Sequence, residues 1–475
     1  MTVDGDKVFG TPDTPWPASL WRSDTAPEHF DPVVDGSTHD VVVVGGGFTG
    51  LWTALEVARL DPARRVTVVD AAQPGFGASG RNGGWCTATM PMSLDGLARR
   101  HGADSARRLQ TAMNRTVAEI GRFVADERID CGWVEAGSIT VARNEAQLAR
   151  LSAVCDEYRR HGFGDDDVRL LSRVEVGERV NVAGALGGAF FAHCATVHPL
   201  RLVTGLVDAA VRAGVQIHGN TRVISWTKTH DGHRLVVRTP SGASRVTAQQ
   251  IVRATEGFTP LIAGQRRRLA PVYSYMVATE PLSADVWDKI GWSGRETLTD
   301  GRTLVVYAQR TVDGRIAFGG RGAPYNFGSK ISPNFDSRGD IHDRIVDAMH
   351  EMFPASRAAS ITHRWGGALG VSRDWHASVT VDPETGVVSA GGYAGDGVAL
   401  SRLAGSCAAR VVLGVDDDLV RLPIVGHRSP DWEPEPFRWL GINAMLRIAD
   451  LSDRLENSGS SLARPLAEIV SRFTH

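Results

Sequence analysis

Gly45, Gly47 and Gly50 stand in the spacing GxGxxG directly after the run Val41-Val42-Val43-Val44. A glycine loop that opens a helix can bind a diphosphate, because the first helical N–H groups are unpaired and carry partial positive charge. Gly45 permits the tight turn, Gly47 lets the diphosphate approach the backbone, and Gly50 lets the helix pack on the strand. Phe48 and Thr49 complete the loop. The pattern is weak alone, since it arises by chance in a chain with 52 glycines in 475 residues.

The flanking elements supply the missing context. Four consecutive β-branched residues predict a strand buried on both faces, as in a parallel sheet. Leu51, Ala54, Leu55 and Ala58 recur at helical spacing, predicting a helix from about Leu51 to Leu60 that Asp61-Pro62 ends. Val66 to Val69 predict a second strand, closing on Asp70. An acid about 20 residues beyond the last glycine is what a dinucleotide site places on the ribose hydroxyls. Its charge would repel a 2′-phosphate, which argues against NADP.

Two more glycine-rich stretches follow. Gly75-Phe76-Gly77-Ala78-Ser79-Gly80-Arg81-Asn82-Gly83-Gly84 comes just after the βαβ unit and can run along an extended cofactor, favouring FAD over NAD. Gly391-Gly392-Tyr393-Ala394-Gly395-Asp396-Gly397-Val398 follows a predicted strand at Val388–Ala390 and leads into a helix to about Leu413.

The rest of the chain reads as α/β. Residues 95–180 are mainly helical, with a strand near Gly137–Ala142. Leu200–Ala213 is an amphipathic helix and Val215–His218 a strand. Thr221–Lys228 and Leu235–Thr239 suggest a hairpin, and Ile251–Thr255 a short strand. Strands at Tyr273–Thr279, Thr303–Ala308 and Ile316–Gly319 precede a helix near Ile341–Met352. The first 38 residues form a Pro-rich arm whose Trp16 and Trp21 should pack on the body. With 42% hydrophobic and 22% charged residues and a net charge of −2, the chain has no nucleic-acid footprint. The run Arg266-Arg267-Arg268 reads as a solvated loop. No secretory signal and no run of about 20 apolar residues is visible. Five scattered cysteines with no CxxC fit a reduced cytoplasmic enzyme better than a disulfide framework or zinc site, and no metal is expected.

Taken together, Val41 to Gly50, Asp70 and Gly75 to Trp85 resemble the D-amino-acid oxidase superfamily of flavoproteins. The likeness is nearest to γ-glutamylputrescine oxidase-like amine oxidases, with glycine and sarcosine oxidases more distant. It continues through His198-Pro199, Ala254-Thr255, Thr279-Glu280-Pro281-Leu282, Trp365-Gly366-Gly367 and Gly392 to Gly397. The resemblance implies a Rossmann-like FAD-binding domain assembled from residues 39–95, 190–265 and 362–415. A substrate domain with a mixed, mostly antiparallel sheet would use residues 96–189 and 266–361. Residues 416–475 remain as a tail. It further implies that Val223 and Thr255 lie near the adenosine half and that Ala78, Ser79, Arg81, Asn82, Gly83 and Gly84 pass the flavin ring. Gly392, Gly395, Asp396, Gly397 and Val398 would present N–H groups to the flavin N1–C2=O edge, where negative charge develops on reduction. No Cys lies between Trp365 and Ser378, and Arg81 and Asn82 stand where some relatives carry a flavin-adjacent His, so FAD is expected to be non-covalent.

The implied reaction oxidises a small primary or secondary amine or amino acid. Hydride passes to flavin N5, the imine hydrolyses, and O2 reoxidises the flavin to give H2O2. A dehydrogenase with another electron acceptor and a non-catalytic flavin-binding protein are the alternatives. Tyr307, Arg310, Trp365, Asp374 and Tyr393 are the substrate-side candidates. Tyr307 and Arg310 could bind an anion, although Arg310 suits a surface salt bridge equally. Trp365 could wall the pocket or fill the core, and Asp374 could bind a second amine or cap a turn. His198 reads as structural, and neither His363 nor His376 has a partner identifiable from sequence. The aromatic tail around Trp432, Pro434, Pro436, Phe437, Trp439 and Leu440, with its helix to about Leu455, should dock on the body. A contact between copies of the chain and a contact with a membrane surface are the alternatives.

Overall fold

The computed structural model of the protein describes Val8 and residues 17–25, 28–320, 322, 324–458, 460 and 462–474. Trp16 lies outside them. Strand Thr38–Val44 runs through the middle of an eight-stranded sheet, parallel to Val66–Val69 on one side and Gly242–Arg253 on the other. Its side chains alternate between two cores. Val41 and Val43 meet helices Phe48–Leu60 and Pro199–Arg212, while Val42 and Val44 meet the hairpin Arg222–Thr229/Gly232–Thr239. Both faces are therefore dry, which is why the run carries no polar alternation. Gln216–His218 and Val388–Gly391 extend the parallel array at either side, and Ser378–Val381 adds an antiparallel strand.

Helix Gly397–Leu413 packs against Phe48–Leu60. A Cβ at Gly405 would stand 2.8 Å from the Cβ of Trp52, so the two axes approach only because that position is glycine. Glu56 bridges the pair through Arg402 at 3.2 Å and Arg410 at 3.0 Å. This contact brings the two helix starts, more than three hundred residues apart in sequence, to one place.

The second sheet also has eight strands, ordered Ile361–Val371, Ala270–Thr279, Ile316–Gly320, Val306–Arg310, Thr297–Asp300, Ser138–Ala142, Gly187–Phe191, Val168–Ser172. It is mixed and mostly antiparallel; only Thr297–Asp300 and Ser138–Ala142 run parallel. Three details differ from the sequence reading. Val168–Ser172 is a strand within the region read as helical, too short for periodicity to separate the two. The strand read at 303–308 lies at Val306–Arg310. Ile361–Val371 pairs along Ala270–Thr279 in this second sheet, although most of it was assigned to the cofactor-binding part.

Arm and tail both dock. Trp21 is buried, donates to the Asn82 carbonyl at 2.8 Å and meets the Trp365 ring edge-on. Trp432 is buried and donates to the Val371 carbonyl at 2.8 Å. The basic run lies in an exposed turn, as a solvated loop should, and also reaches its neighbours: Arg267 donates to the Trp432 carbonyl, Arg266 to that of Gly328, and Arg268 pairs with Asp431 at 3.3 Å. In helix Phe437–Asn457, Asp453 accepts from the N–H groups of Thr303 and Leu304, and Glu456 pairs with Arg150. Among the described residues no helix is long and apolar enough to cross a membrane.

Candidate active site

The glycine loop opens a long cleft enclosing about 1190 Å³ of space, part of it open to solvent. Gly45 adopts φ 114°, and a Cβ there would stand 2.4 Å from the Ala254 carbonyl oxygen. At Gly50 a Cβ would meet the Gly45 carbonyl oxygen at 1.9 Å, so this glycine serves loop closure as much as helix–strand packing. Helix Phe48–Leu60 has no side-chain cap from Gly47; the Phe48 N–H instead donates to Ser79 Oγ at 2.9 Å. The following N–H groups have no intrahelical partner, by the geometry of any helix start. Asp70 accepts from the Gly46 and Ala72 N–H groups at 2.7 and 2.8 Å, and burial pushes its carboxyl above the usual range despite these bonds.

The far wall of the cleft is the turn before Gly397–Leu413, held by a residue that sequence reasoning missed. Glu256 is half-buried in the cleft wall and accepts from the N–H groups of Gly392 at 2.9 Å and Tyr393 at 3.2 Å. Burial raises its carboxyl to about 7, against the opposing pull of those two N–H bonds and of Arg253. It sits at φ 38°, a left-handed conformation uncommon outside glycine. The Tyr393 hydroxyl reaches Thr49 Oγ1 at 3.0 Å, joining this turn to the glycine loop directly.

A second cleft, with about 760 Å³ of empty volume, adjoins the first; both are lined by Ala78, Asn82, Leu369 and Gly395. Its other walls are Arg81, Gly83, Trp85, Thr87, Ser274, Met276, Val305, Tyr307, Gly367 and Asp396. Tyr307 and Ser274 share a hydrogen bond of 2.8 Å. The Tyr307 ring lies across Gly83 and Gly319, where Cβ atoms would come within 2.7 and 2.3 Å of it. Arg81 is buried and pairs with Asp336 at 2.7 Å.

This arrangement matches known proteins over most of its length. A family model described as FAD dependent oxidoreductase matches residues 40–411. The chain belongs to that family. It is therefore an FAD-dependent oxidoreductase. It is 30% identical over 393 residues to γ-glutamylputrescine oxidoreductase of Escherichia coli, covering 81% of this chain and 86% of that one. It is 29% identical over 400 residues to the probable oxidoreductase OrdL of Haemophilus influenzae, covering 82% and 86%. Glycine oxidase from Geobacillus kaustophilus shares the fold at a TM-score of 0.68 and 21% identity, covering 82% of this chain and 99% of that one.

The residues present fit the family's cofactor. Gly47 leaves a cradle in which a Cβ would crowd Ser79 Oγ at 2.8 Å, two helix starts face one cleft, and the Asp70 and Glu256 carboxylates line it. Of the residues expected to hold FAD, Gly45, Gly47, Phe48, Thr49, Asp70, Ala78, Ser79, Asn82, Val223, Thr255, Gly395, Gly397 and Val398 line the long cleft. Arg81, Gly83 and Asp396 line the second cleft instead. Gly50, Gly84 and Gly392 line neither and act as backbone spacers. Gly84 adopts φ 69° beneath Gln309, and Gly392 φ 84° against the His376 carbonyl.

The substrate-side candidates separate. Tyr307 lines the second cleft, whereas Tyr393 lines the cofactor cleft and braces its backbone. Arg310 is turned away: it donates to the Trp292 carbonyl at 2.7 Å and lies over the Trp287 ring at 4.1 Å, a packing role and not a surface ion pair. Trp365 is a core residue that holds the Arg81 carbonyl at 2.9 Å, so it supports the loop and does not wall the pocket. Asp374 lies outside both clefts, paired with Arg100 and His427. His198 caps helix Pro199–Arg212, accepting from the Arg201 N–H. Besides Glu256, sequence reasoning missed Trp85, Ser274 and Met276, whose strands reach the cleft only through sheet order.

Proposed function

We propose that the protein oxidises a small primary or secondary amine that lacks an α-carboxylate. The observation that carries this reading is the lining of the second cleft. Recognition of an amino-acid carboxylate calls for a guanidinium available to it. The arginine in the lining, Arg81, is 4% exposed at its side chain and already paired with Asp336. The rest of the lining includes the aromatic rings of Trp85 and Tyr307 and the acidic Asp396, a set that suits an amine better than a carboxylate. The E. coli relative is named for γ-glutamylputrescine, whose putrescine amine has no carboxylate on its α-carbon, although the glutamyl end carries one.

FAD held along the long cleft by the Gly45–Gly50 loop and Asp70 would supply the two-electron oxidant for the amine-bearing carbon, with O2 as final acceptor reduced to H2O2 and the imine hydrolysed by water. The chain's residues orient and tune. Desolvation in a largely apolar cleft favours the neutral amine that can donate hydride. The Tyr307–Ser274 pair offers hydrogen bonds to its nitrogen, and the start of helix Gly397–Leu413 favours negative charge on the cofactor edge facing it. We read the first sheet and its helices as the cofactor-binding unit and the second sheet as the cover over the reacting face. Neither cleft is lined by a Cys or His, which supports non-covalent FAD. Acid precipitation should leave a colourless pellet. The described cysteines are buried and unpaired, which suits a reducing, cytoplasmic compartment.

The test is an anaerobic panel of polyamine derivatives, N-methyl amino acids, D-amino acids, glycine and aminophosphonates, read by flavin bleaching and then by H2O2 in air. Bleaching and peroxide with amines but not amino acids is the expected result. Bleaching with slow reoxidation in air would instead make the protein a dehydrogenase. Bleaching only by amino acids would overturn the substrate class, and no bleaching at all would remove the amine reading.

A further inference from the structure

Three histidines from separate segments meet behind the turn that Glu256 holds. His101 ends helix Leu94–His101, His376 follows strand Ile361–Val371 by five residues, and His427 comes from the stretch leading into the tail. One nitrogen from each lies within 4.8 Å of the other two. His101 Nε2 and His376 Nε2 are 3.0 Å apart, and the rings of His376 and His427 stack with centroids 3.8 Å apart.

The outer contacts decide which nitrogens carry protons. His376 Nδ1 donates to the Ala377 carbonyl at 2.6 Å, which leaves Nε2 as a bare lone pair in the neutral ring. His427 Nε2 donates to Asp374 at 2.8 Å, which leaves its Nδ1 bare. Asp374 is in turn held by Arg100 at 2.7 Å. An imidazole whose second nitrogen is anchored on a carboxylate or backbone carbonyl is the arrangement that orients metal-ligating histidines. His101, at a helix C-terminus, adds a site where positive charge is favoured.

We propose that His101, His376 and His427 bind a divalent transition-metal ion of the Zn²⁺ class, with water completing the coordination. This reverses the expectation of no metal, which rested on the cysteines alone. Tetrahedral Zn–N bonds of ~2.0–2.1 Å set the nitrogens about 3.3 Å apart, so the most distant pair need close by at most roughly 1.5 Å. A cleft lined by Ser372, Ser378, His427 and Ser429 adjoins the cluster and gives an ion a route in. The His376 carbonyl lies against Gly392, 3.2 Å from where its Cβ would be, so the ion would stiffen the back of the cofactor turn by tying three segments together.

The test uses untagged, FAD-loaded protein equilibrated with Zn²⁺, freed of excess metal and analysed by mass spectrometry for zinc and by absorbance for flavin. Wild type should retain about one Zn²⁺ per chain, and H101Q and H427Q almost none, at unchanged flavin content. Asp374→Asn should bind Zn²⁺ roughly 10–100-fold more weakly by calorimetry. Zn²⁺ should raise the Tm of wild type with the logarithm of its free concentration once that exceeds the Kd, and leave that of H101Q unmoved. Should H427Q lose flavin through misfolding, H101Q, whose ring is only half-buried, decides the matter. Wild type that retains no more Zn²⁺ than H101Q, or that titrates with the same affinity, overturns the site and leaves only a hydrogen-bonded histidine stack.

Discussion

Two glycine turns face each other across the cofactor cleft, and they are built differently. The first, Gly45 to Gly50, is held mostly by its own neighbourhood: Gly50 closes on the Gly45 carbonyl, and Asp70 at the end of the next strand takes the Gly46 N–H. The second, Gly391 to Gly397, is held from a distance. Glu256, 136 residues before Gly392, takes two of its N–H groups, and the His376 carbonyl backs Gly392. A turn closed by local contacts is set by its own sequence pattern, whereas one closed by remote side chains exists only when the fold is complete. The first should therefore fail when its spacing is violated, and the second when a distant partner is changed.

The largest effect should come from Gly50→Ala. With a backbone oxygen 1.9 Å from the new Cβ, the loop cannot close, and the purified variant should carry no flavin after gel filtration. Retention of flavin would break the local account of that turn. Next, Glu256→Gln replaces one acceptor oxygen by an NH2 that faces an N–H, costing roughly 1–3 kcal/mol of stability and loosening flavin, read by denaturation and flavin titration. Its pH dependence gives a sharper reading. Folded Glu256 holds its proton up to about 7, well above a free carboxyl, so the native state binds more protons between the two values. Its contribution to stability is present at low pH and is lost as pH rises through that window. Glu256→Gln should flatten that part of the wild-type profile.

Gly392→Ala should cost roughly 1–2 kcal/mol, because an L side chain is disfavoured at φ 84°. The loss should appear as weaker flavin binding with the first turn intact. Tyr393→Phe removes only the hydroxyl link to Thr49, about 1 kcal/mol, and measures how far the two turns are coupled. Combined with Glu256→Gln, its effect should be non-additive. Tyr307→Phe touches neither turn. It should leave flavin content unchanged and raise KM for the best amine by up to about tenfold, the equivalent of one hydrogen bond.

The same division separates what could be read from the chain and what could not. Val41 to Val44, the glycine loop and Asp70 were legible because a βαβ unit is contiguous, and its periodicity, turn residues and acid lie within one short window. Asp396, Gly397 and Val398 were found through family resemblance, and Tyr307 as a residue on a predicted cap strand. Arg310 and Trp365 were misread because residue type and strand position do not say which face of a strand meets a cleft. Arg310 went under Trp287, and Trp365 into the core beside Trp21. Glu256 was overlooked beside the expected Thr255, since nothing in its own window shows that its partners begin at Gly392. His376 seemed solitary for the same reason; its neighbours come from positions 101 and 427.

The sequence by itself determined that this chain folds a dinucleotide loop, because strand burial, helix spacing and glycine geometry are local constraints that every window of the chain must satisfy. The tertiary structure alone decided which helix starts share a cleft, which arginine is already paired, and which histidines meet. Those depend on sheet order and on close approach at positions such as Gly405, where side chains remote in sequence are brought within bonding distance.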